Sequence, residues 1–423
     1  MRFRYYIIIL FLFLIIACDK SQKNEQLVEK HLTAEDILGN PNYLAISYGG
    51  YRKTSRDSQP SIAELKEDLK ILDAAGVKIL RTYNVHYPHA SNILKAIREL
   101  KSEVEGFEMY VMLGAWIDCK NAWTENPDHS EEDLEDNTNE INKAVELANQ
   151  YPDIVKILAV GNEAMVHWAW SYWVEPKVIL KWVNFLQDQK KDGNLPKNLW
   201  ITSSDNFASW GGGDESYQKD DLTKLIKAVD YISMHTYPMH DTHYNPTFWG
   251  VEEDEIQLTD IDKIDSAMTR ARDYAVNQYN SVKTYINSLG INKPIHIGET
   301  GWASFSNELY GDNGSHATDE YKQALYYKLI SEWASKNKIS CFYFEAFDEI
   351  WKDSQNPQGS ENNFGLFTLE GKAKYALWPL VDQGVFDGLT RNGNPIIKTY
   401  GGDADTLIRE VKLPPQLNPA SVN

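Results

Sequence analysis

A chain of 423 residues with 42% hydrophobic and 12% aromatic residues has the material for one large core, which excludes an extended disordered chain and a miniature disulfide scaffold. Its 61 acidic against 42 basic residues leave a formal charge of −19, and such a surface repels phosphate polymers, so nucleic acid is not an expected partner. A neutral ligand is indifferent to that charge, and 13 Trp and 24 Tyr supply flat apolar rings for a core or for a ligand platform.

Arg2 and Arg4 precede an apolar run from Tyr5 to Ala17, the charged and hydrophobic regions of a secretion signal, too short to span a bilayer as a folded helix. Residues 1–17 are therefore read as a signal segment. Ile15-Ile16-Ala17-Cys18 resembles the bacterial lipobox, in which the Cys is lipidated and becomes the first mature residue. Cys18 would then hold the protein in the cell envelope, touching the membrane through its lipid alone. Residues 18–40 read as that Cys and a flexible tether, because Asp19 to Thr33 is polar and lacks an apolar period.

Between residues 41 and 400, eight apolar runs alternate with helical patterns. The runs are Tyr43 to Tyr48, Val77 to Tyr83, Glu108 to Trp116, Val155 to Glu163, Leu199 to Asp205, Tyr231 to Tyr237, Pro294 to Glu299 and Ile339 to Phe347. Each is nearly continuously apolar, as strands covered on both faces must be. In the first helix, Ser61 and Glu64 form a capping box, Ile62, Leu65, Leu69 and Leu72 make one stripe, and Gly76 ends it. Further stripes cover 93–100, 141–147, 178–186, 222–229, 267–286 and 321–333. Eight such units predict a single (β/α)8 TIM barrel of the α/β class.

Ser130 to Glu140 is expected to open the third helix, where acidic residues suit the positive end of the helix dipole. Asp312-Asn313-Gly314 reads as a turn. Residues 401–423 form a C-terminal extension that loosens from Pro414. Cys119 and Cys341 fall on strands that are not neighbours in a closed barrel, so no disulfide is expected. His86, His235 and His240 lack the spacing of a helical zinc site, and Gly211-Gly212-Gly213 lacks the Lys and Ser/Thr of a phosphate loop. Neither a metal nor a cofactor is called for.

Barrels of this kind carry their chemistry at the carboxyl ends of strands. Val160-Gly161-Asn162-Glu163 closes the fourth and Ile297-Gly298-Glu299-Thr300-Gly301-Trp302 closes the seventh, each an apolar run ending in a carboxylate. Glycosidic cleavage needs such a pair: one acid protonates the leaving oxygen, and the other supports the positive carbon directly or through water. A separation of about 5 to 5.5 Å gives retention and a wider one inversion. Tyr48, Tyr83, Trp116, Trp302 and Trp351 are candidate sugar platforms, since the C–H face of a pyranose packs on a ring. Glu345, Asp348 and Glu349 either bond sugar hydroxyls or support the cleft wall.

From Ala45-Ile46-Ser47-Tyr48-Gly49-Gly50 to Phe344-Glu345-Ala346-Phe347-Asp348-Glu349 the chain resembles glycoside hydrolase family 17, part of a clan of retaining barrel glycosidases. The resemblance implies cleavage of a neutral β-1,3-glucan, laminarin-like, by double displacement. It makes Glu163 similar to the family's acid/base, Glu299 to its nucleophile and Asn162 to the residue that binds the 2-hydroxyl. The wider clan adds Arg81, in Leu80-Arg81-Thr82-Tyr83, which holds the nucleophile ionised, and Tyr237, in His235-Thr236-Tyr237-Pro238, which touches it. A nearby opposite charge lowers a carboxylate pKa, the physical reason for that Arg.

Ala303 follows Trp302 where plant members usually carry Pro, and the loops after strands four and six are longer, with Trp168, Trp170 and Trp173 in the former. Both features lean toward the bacterial and fungal branch. The same intermediate intercepted by a sugar hydroxyl would make a glucanosyltransferase. A barrel that binds glycan without cutting is the reading from another class. The protein is expected to act as a monomer.

Overall fold

The structure, a computed structural model, describes residues 32–417. The signal segment and Cys18 lie outside the described residues, as do 418–423. Eight parallel strands close into a barrel: β1 Leu44–Ser47, β2 Val77–Arg81, β3 Tyr110–Ala115, β4 Val155–Asn162, β5 Trp200–Asn206, β6 Ile232–His235, β7 Ile295–Gly301 and β8 Cys341–Phe344. They follow one another around the ring in chain order, with β8 returning to pair with β1 at Ala45 and Phe342. The burial of β4 shows why its run is mostly apolar, since every residue but the last is buried, with Lys156 the one charged exception.

Helices cover the outside. Ile62–Ala74 has the Ser61–Glu64 capping box, and Leu65, Leu69 and Leu72 face the strands, as the stripe requires. Pro88–Glu103, Leu134–Gln150, Pro176–Lys191, Asp220–Ala228, Asp260–Ser288 and Glu320–Lys336 follow the next strands. After β8 the chain makes only short helices, Trp378–Asp382 and Ala404–Glu410, around a two-stranded ribbon at Thr390–Arg391 and Asn394–Pro395.

Three segments differ from the sequence-based expectation. The tether drawn to residue 40 reaches into packed structure: Thr33 and Asp36 cap the turn Ala34–Ile37, and Ala34, Ile37 and Leu38 pack with Ile79, Met112, Ile157, Tyr231 and Phe342 inside the barrel. This apolar plug closes the amino-terminal end, so the chemistry is left to the other. Residues 128–132 do not begin a helix; they pair antiparallel with Cys119–Lys120, and Glu132 is held by the Trp182 indole N–H at 2.7 Å. The third helix starts at Leu134 behind the Asp133 cap. The tail is not loose through Leu417, because Val251 exchanges hydrogen bonds of 2.9 Å with Pro415 and Leu417. Cys119 and Cys341 are both free thiols.

Candidate active site

At the carboxyl end of β4 the backbone turns sharply. Gly161 takes φ +80°, and a Cβ there would lie 2.8 Å from the Ala164 methyl. Two residues on, Glu163 is itself left-handed at φ +47°, a conformation that a non-glycine residue holds only when its surroundings impose it. Those surroundings are hydrogen bonds. The Glu163 N–H donates to the Ser204 carbonyl at 3.0 Å, and the buried Asp205 carboxylate accepts from the Met165 N–H at 2.7 Å. Burial raises the Asp205 carboxyl to about 7, against the pull of the Met165 and Asn206 N–H groups that donate to it.

Glu299 projects from β7 into a basic and hydroxylic cage. Its two oxygens accept from the Tyr83 hydroxyl at 2.7 Å and the Tyr237 hydroxyl at 2.6 Å, and Arg81 forms an ion pair with it. The Arg81 guanidinium also donates to the Gly298 carbonyl at 3.1 Å and to the Asn162 side-chain oxygen at 2.5 Å, which ties β2, β4 and β7 together. Gly298 is needed because a Cβ would sit 2.0 Å from the Ser233 hydroxyl. That hydroxyl belongs to a chain: Ser233 to Ser204 at 2.9 Å, Ser204 to His235 Nε2 at 2.7 Å, and His235 Nδ1 to Glu163 Oε1 at 3.1 Å.

The two acids are driven apart in protonation. Burial, the Glu299 charge and Asp205 push Glu163 well above the usual carboxylate range. Burial would raise Glu299 too, but Arg81 and the two tyrosine hydroxyls outweigh it and hold the group down to about 2. His235, stripped of water, falls to about 3 and is neutral near pH 7. The site therefore pairs an ionised carboxylate with a protonated one.

A cleft of about 620 Å³ opens over Glu299 and Asn162, and its lining includes Tyr83, Trp116, Asp118 and Trp123 together with Phe344, Glu345, Glu349, Trp351 and Lys352. Glu345 pairs with Lys352, whose ammonium lies 3.9 Å from the centre of the Phe344 ring. Glu349 accepts from the Trp351 indole at 2.7 Å and from the Tyr51 N–H at 3.1 Å. Asp348 is a wall support, bonded to Lys374 and the Gly365 N–H.

Of the expected site residues, the fold thus brings together Glu163, Glu299, Asn162, Arg81, Tyr83, Tyr237, Trp116, Glu345, Glu349 and Trp351. Tyr48 and Trp302 are not sugar platforms. Tyr48 is buried with its hydroxyl on Asp68, and Trp302 is buried between Trp249 and Tyr326 with its N–H on the Ala317 carbonyl. Other cleft residues, among them Tyr51, Asp118, Trp123, Lys352 and Glu361, carried no readable signal because they sit in loops or in a single short turn without period. Among the described residues no group of three or more His, Cys, Asp or Glu side chains could hold a metal ion.

A closed barrel that presents one ionised and one protonated carboxylic acid beside a ring-lined cleft has the architecture of a barrel glycosidase. The chain belongs to the BtgE/BtgC glycoside hydrolase domain family, which it matches over residues 45–365. It is 68% identical to the crystal structure of an endo-laminarinase from Formosa Hel1_33_131, covering 91% of this chain and 98% of that one with a TM-score of 0.90. It is 26% identical over 350 residues to a probable glucan endo-1,3-beta-glucosidase, btgC, of Aspergillus terreus, covering 78% of this chain and 45% of the fungal protein. The chain thus spans about half the length of such fungal relatives. A Rhizomucor miehei beta-1,3-glucanosyltransferase in complex with laminaritriose shares the fold, at 20% identity and a TM-score of 0.54 over 79% of this chain and 96% of that one.

Proposed function

We propose that the protein cleaves internal bonds of a laminarin-like β-1,3-glucan with retention, Glu299 acting as nucleophile and Glu163 as acid and then base. The observation that carries the glycosidase reading is the setting of the two acids: Glu299 is held by the Arg81 ion pair and by the Tyr83 and Tyr237 hydroxyls at 2.7 and 2.6 Å, while burial favours the protonated form of Glu163; retention is what the resemblance to glycoside hydrolase family 17 adds. The 68% identity to an endo-laminarinase supports the substrate and the internal cut.

In the first step a Glu299 oxygen attacks the anomeric carbon as the glycosidic C–O bond breaks, and the Glu163 proton goes to the leaving oxygen. Neutral His235 donates from Nδ1 to Glu163 Oε1 and accepts the Ser204 hydroxyl at Nε2, so the Glu163 proton stands on the other oxygen, free for the leaving group, and the same tautomer serves the carboxylate that remains. In the second step that carboxylate takes a proton from water, whose oxygen attacks the same carbon and releases Glu299. Asn162 has its carbonyl oxygen engaged by Arg81, which leaves its NH2 to donate to a sugar hydroxyl next to the reacting carbon.

The test is purified chain on laminarin, with reducing ends and product lengths followed together. Shorter products from the wild type are expected, and Glu163→Gln should lower kcat by at least about a hundredfold. Products longer than the starting oligosaccharide would replace hydrolysis by glucanosyl transfer. Binding without turnover on any glucan would leave only a glycan-capturing role. Anchoring through a lipid on Cys18 belongs to the same proposal and rests on residues 1–18; Cys18→Ser should release the protein from the membrane fraction.

A further inference from the structure

The ribbon that follows β3 carries Trp123, and its backbone is pinned to the loop after β4. The Trp123 N–H donates to the Ser171 carbonyl at 2.8 Å, and the Cys119 N–H to the Tyr172 carbonyl at 3.1 Å. Three rings cluster there, Trp123 stacked on both of the others. Tyr172 lies 5.1 Å from Trp116 and 5.0 Å from Trp123 between ring centres, and the two indoles are inclined by only 28° at 6.4 Å. Asp118 accepts both indole N–H groups, at 2.7 Å from Trp116 and 3.3 Å from Trp123.

Trp123 is thus oriented by three separate constraints, yet it remains 61% exposed and lines the same cleft as Glu299. Its backbone stands at φ +63°, a region that bulky residues avoid. A side chain this exposed recovers little of that cost through burial, and strain retained at an exposed, well-fixed residue points to a ligand clamp. What the constraints leave open is an uncharged aromatic face whose N–H is already spoken for. That surface suits the C–H face of a neutral pyranose, with Asp118 beside it to accept a sugar hydroxyl.

We propose that Trp123, backed by Tyr172 and Trp116, is the platform of an outer glucosyl subsite, so that the cleft grips the β-1,3-glucan chain at a sugar remote from the cleaved bond. This rests on the hydrolytic reading above and adds a chain-length preference to it. Trp123 binds and positions; it touches no reacting atom.

The experiment compares wild type, Trp123→Asn and Trp123→Phe on linear β-1,3-gluco-oligosaccharides of increasing length. For Trp123→Asn the ratio of kcat/KM on the longest chains to that on the shortest cleaved chain should fall roughly three- to tenfold, the worth of one aromatic contact. Trp123→Phe should restore most of the ratio. Asn tolerates a left-handed backbone, so the thermal midpoint of Trp123→Asn should not drop, which separates lost binding from lost folding. A loss equal at every length, or none, would overturn the subsite. Absence of wild-type turnover on every length would instead sink the hydrolytic reading. The subsite would still be decided by calorimetric titration of Glu299→Gln, with and without Trp123→Asn, using the longest oligosaccharide, where equal affinities would overturn it.

Discussion

Arg81 does more at this site than neutralise one carboxylate. Fully buried, it reaches the Glu299 carboxylate, the Gly298 carbonyl and the Asn162 amide oxygen, so its charge and its geometry act together. Replacing it by Gln keeps a polar side chain but removes the charge. Glu299 would then be left mainly to burial, which raises it, and its ionisation should move up from about 2 by roughly one to three pH units. The same cation also lowers Glu163, so both limbs of the kcat/KM profile should move to higher pH in Arg81→Gln. A profile unchanged in both limbs would show that Arg81 only positions. The sign for stability follows from the same depression: Glu299 contributes above the ordinary carboxylate range, and that contribution is lost as pH falls through about 2.

Among the elements, the turn from β4 into Glu163 depends on its neighbour β5. Asp205, at the end of β5, accepts the Met165 N–H at 2.7 Å and the Asn206 N–H at 2.8 Å, and so fixes the residues just past the acid. Asp205→Asn keeps the shape but turns part of the acceptor into a donor facing N–H groups. A loss of about 1 to 3 kcal/mol is expected, with kcat falling because Glu163 loses its hold at φ +47°. Denaturant midpoints and kcat on laminarin measure the two effects; a stability loss with kcat untouched would assign Asp205 to the scaffold alone. The eight strands were legible because burial on both faces leaves an apolar run that no surface element produces. Glu163 and Glu299 were legible because each ends such a run. Tyr48 and Trp302 misled because a strand-end ring can turn outward to the helices as readily as inward to the cleft, and Asp68 and Ala317 supplied the partners that turned them outward. The ribbon at 119–132 was hidden because Asp128-His129-Ser130-Glu131-Glu132 has neither alternation nor apolar character.

Across the whole molecule, the segment after β8 is locked onto the first helix layer by charge. Asp68, fully buried in the helix Ile62–Ala74, accepts from Arg391 Nε at 2.9 Å, from Arg52 at 2.8 Å and from the Tyr48 hydroxyl at 3.1 Å. Arg391 comes from the ribbon near the carboxyl end and lies 4.0 Å from the centre of the Phe347 ring, just past β8. Asp68 has partners on both sides, so removing one does not leave it bare, yet a buried charge pair broken from one side usually costs about 3 to 5 kcal/mol. Arg391→Ala should therefore lower the denaturant midpoint with its slope unchanged. Asp68→Asn should also destabilise, because it leaves the buried Arg391 guanidinium without its carboxylate and takes one partner from Arg52, which keeps Glu67 at 3.2 Å. The double variant Arg391→Ala with Asp68→Asn should cost less than the sum of the two, since each single change already breaks the same pair. Strict additivity would mean that the final segment is held by apolar packing around Phe347, Phe367 and Phe386, and that the buried ions are incidental to it.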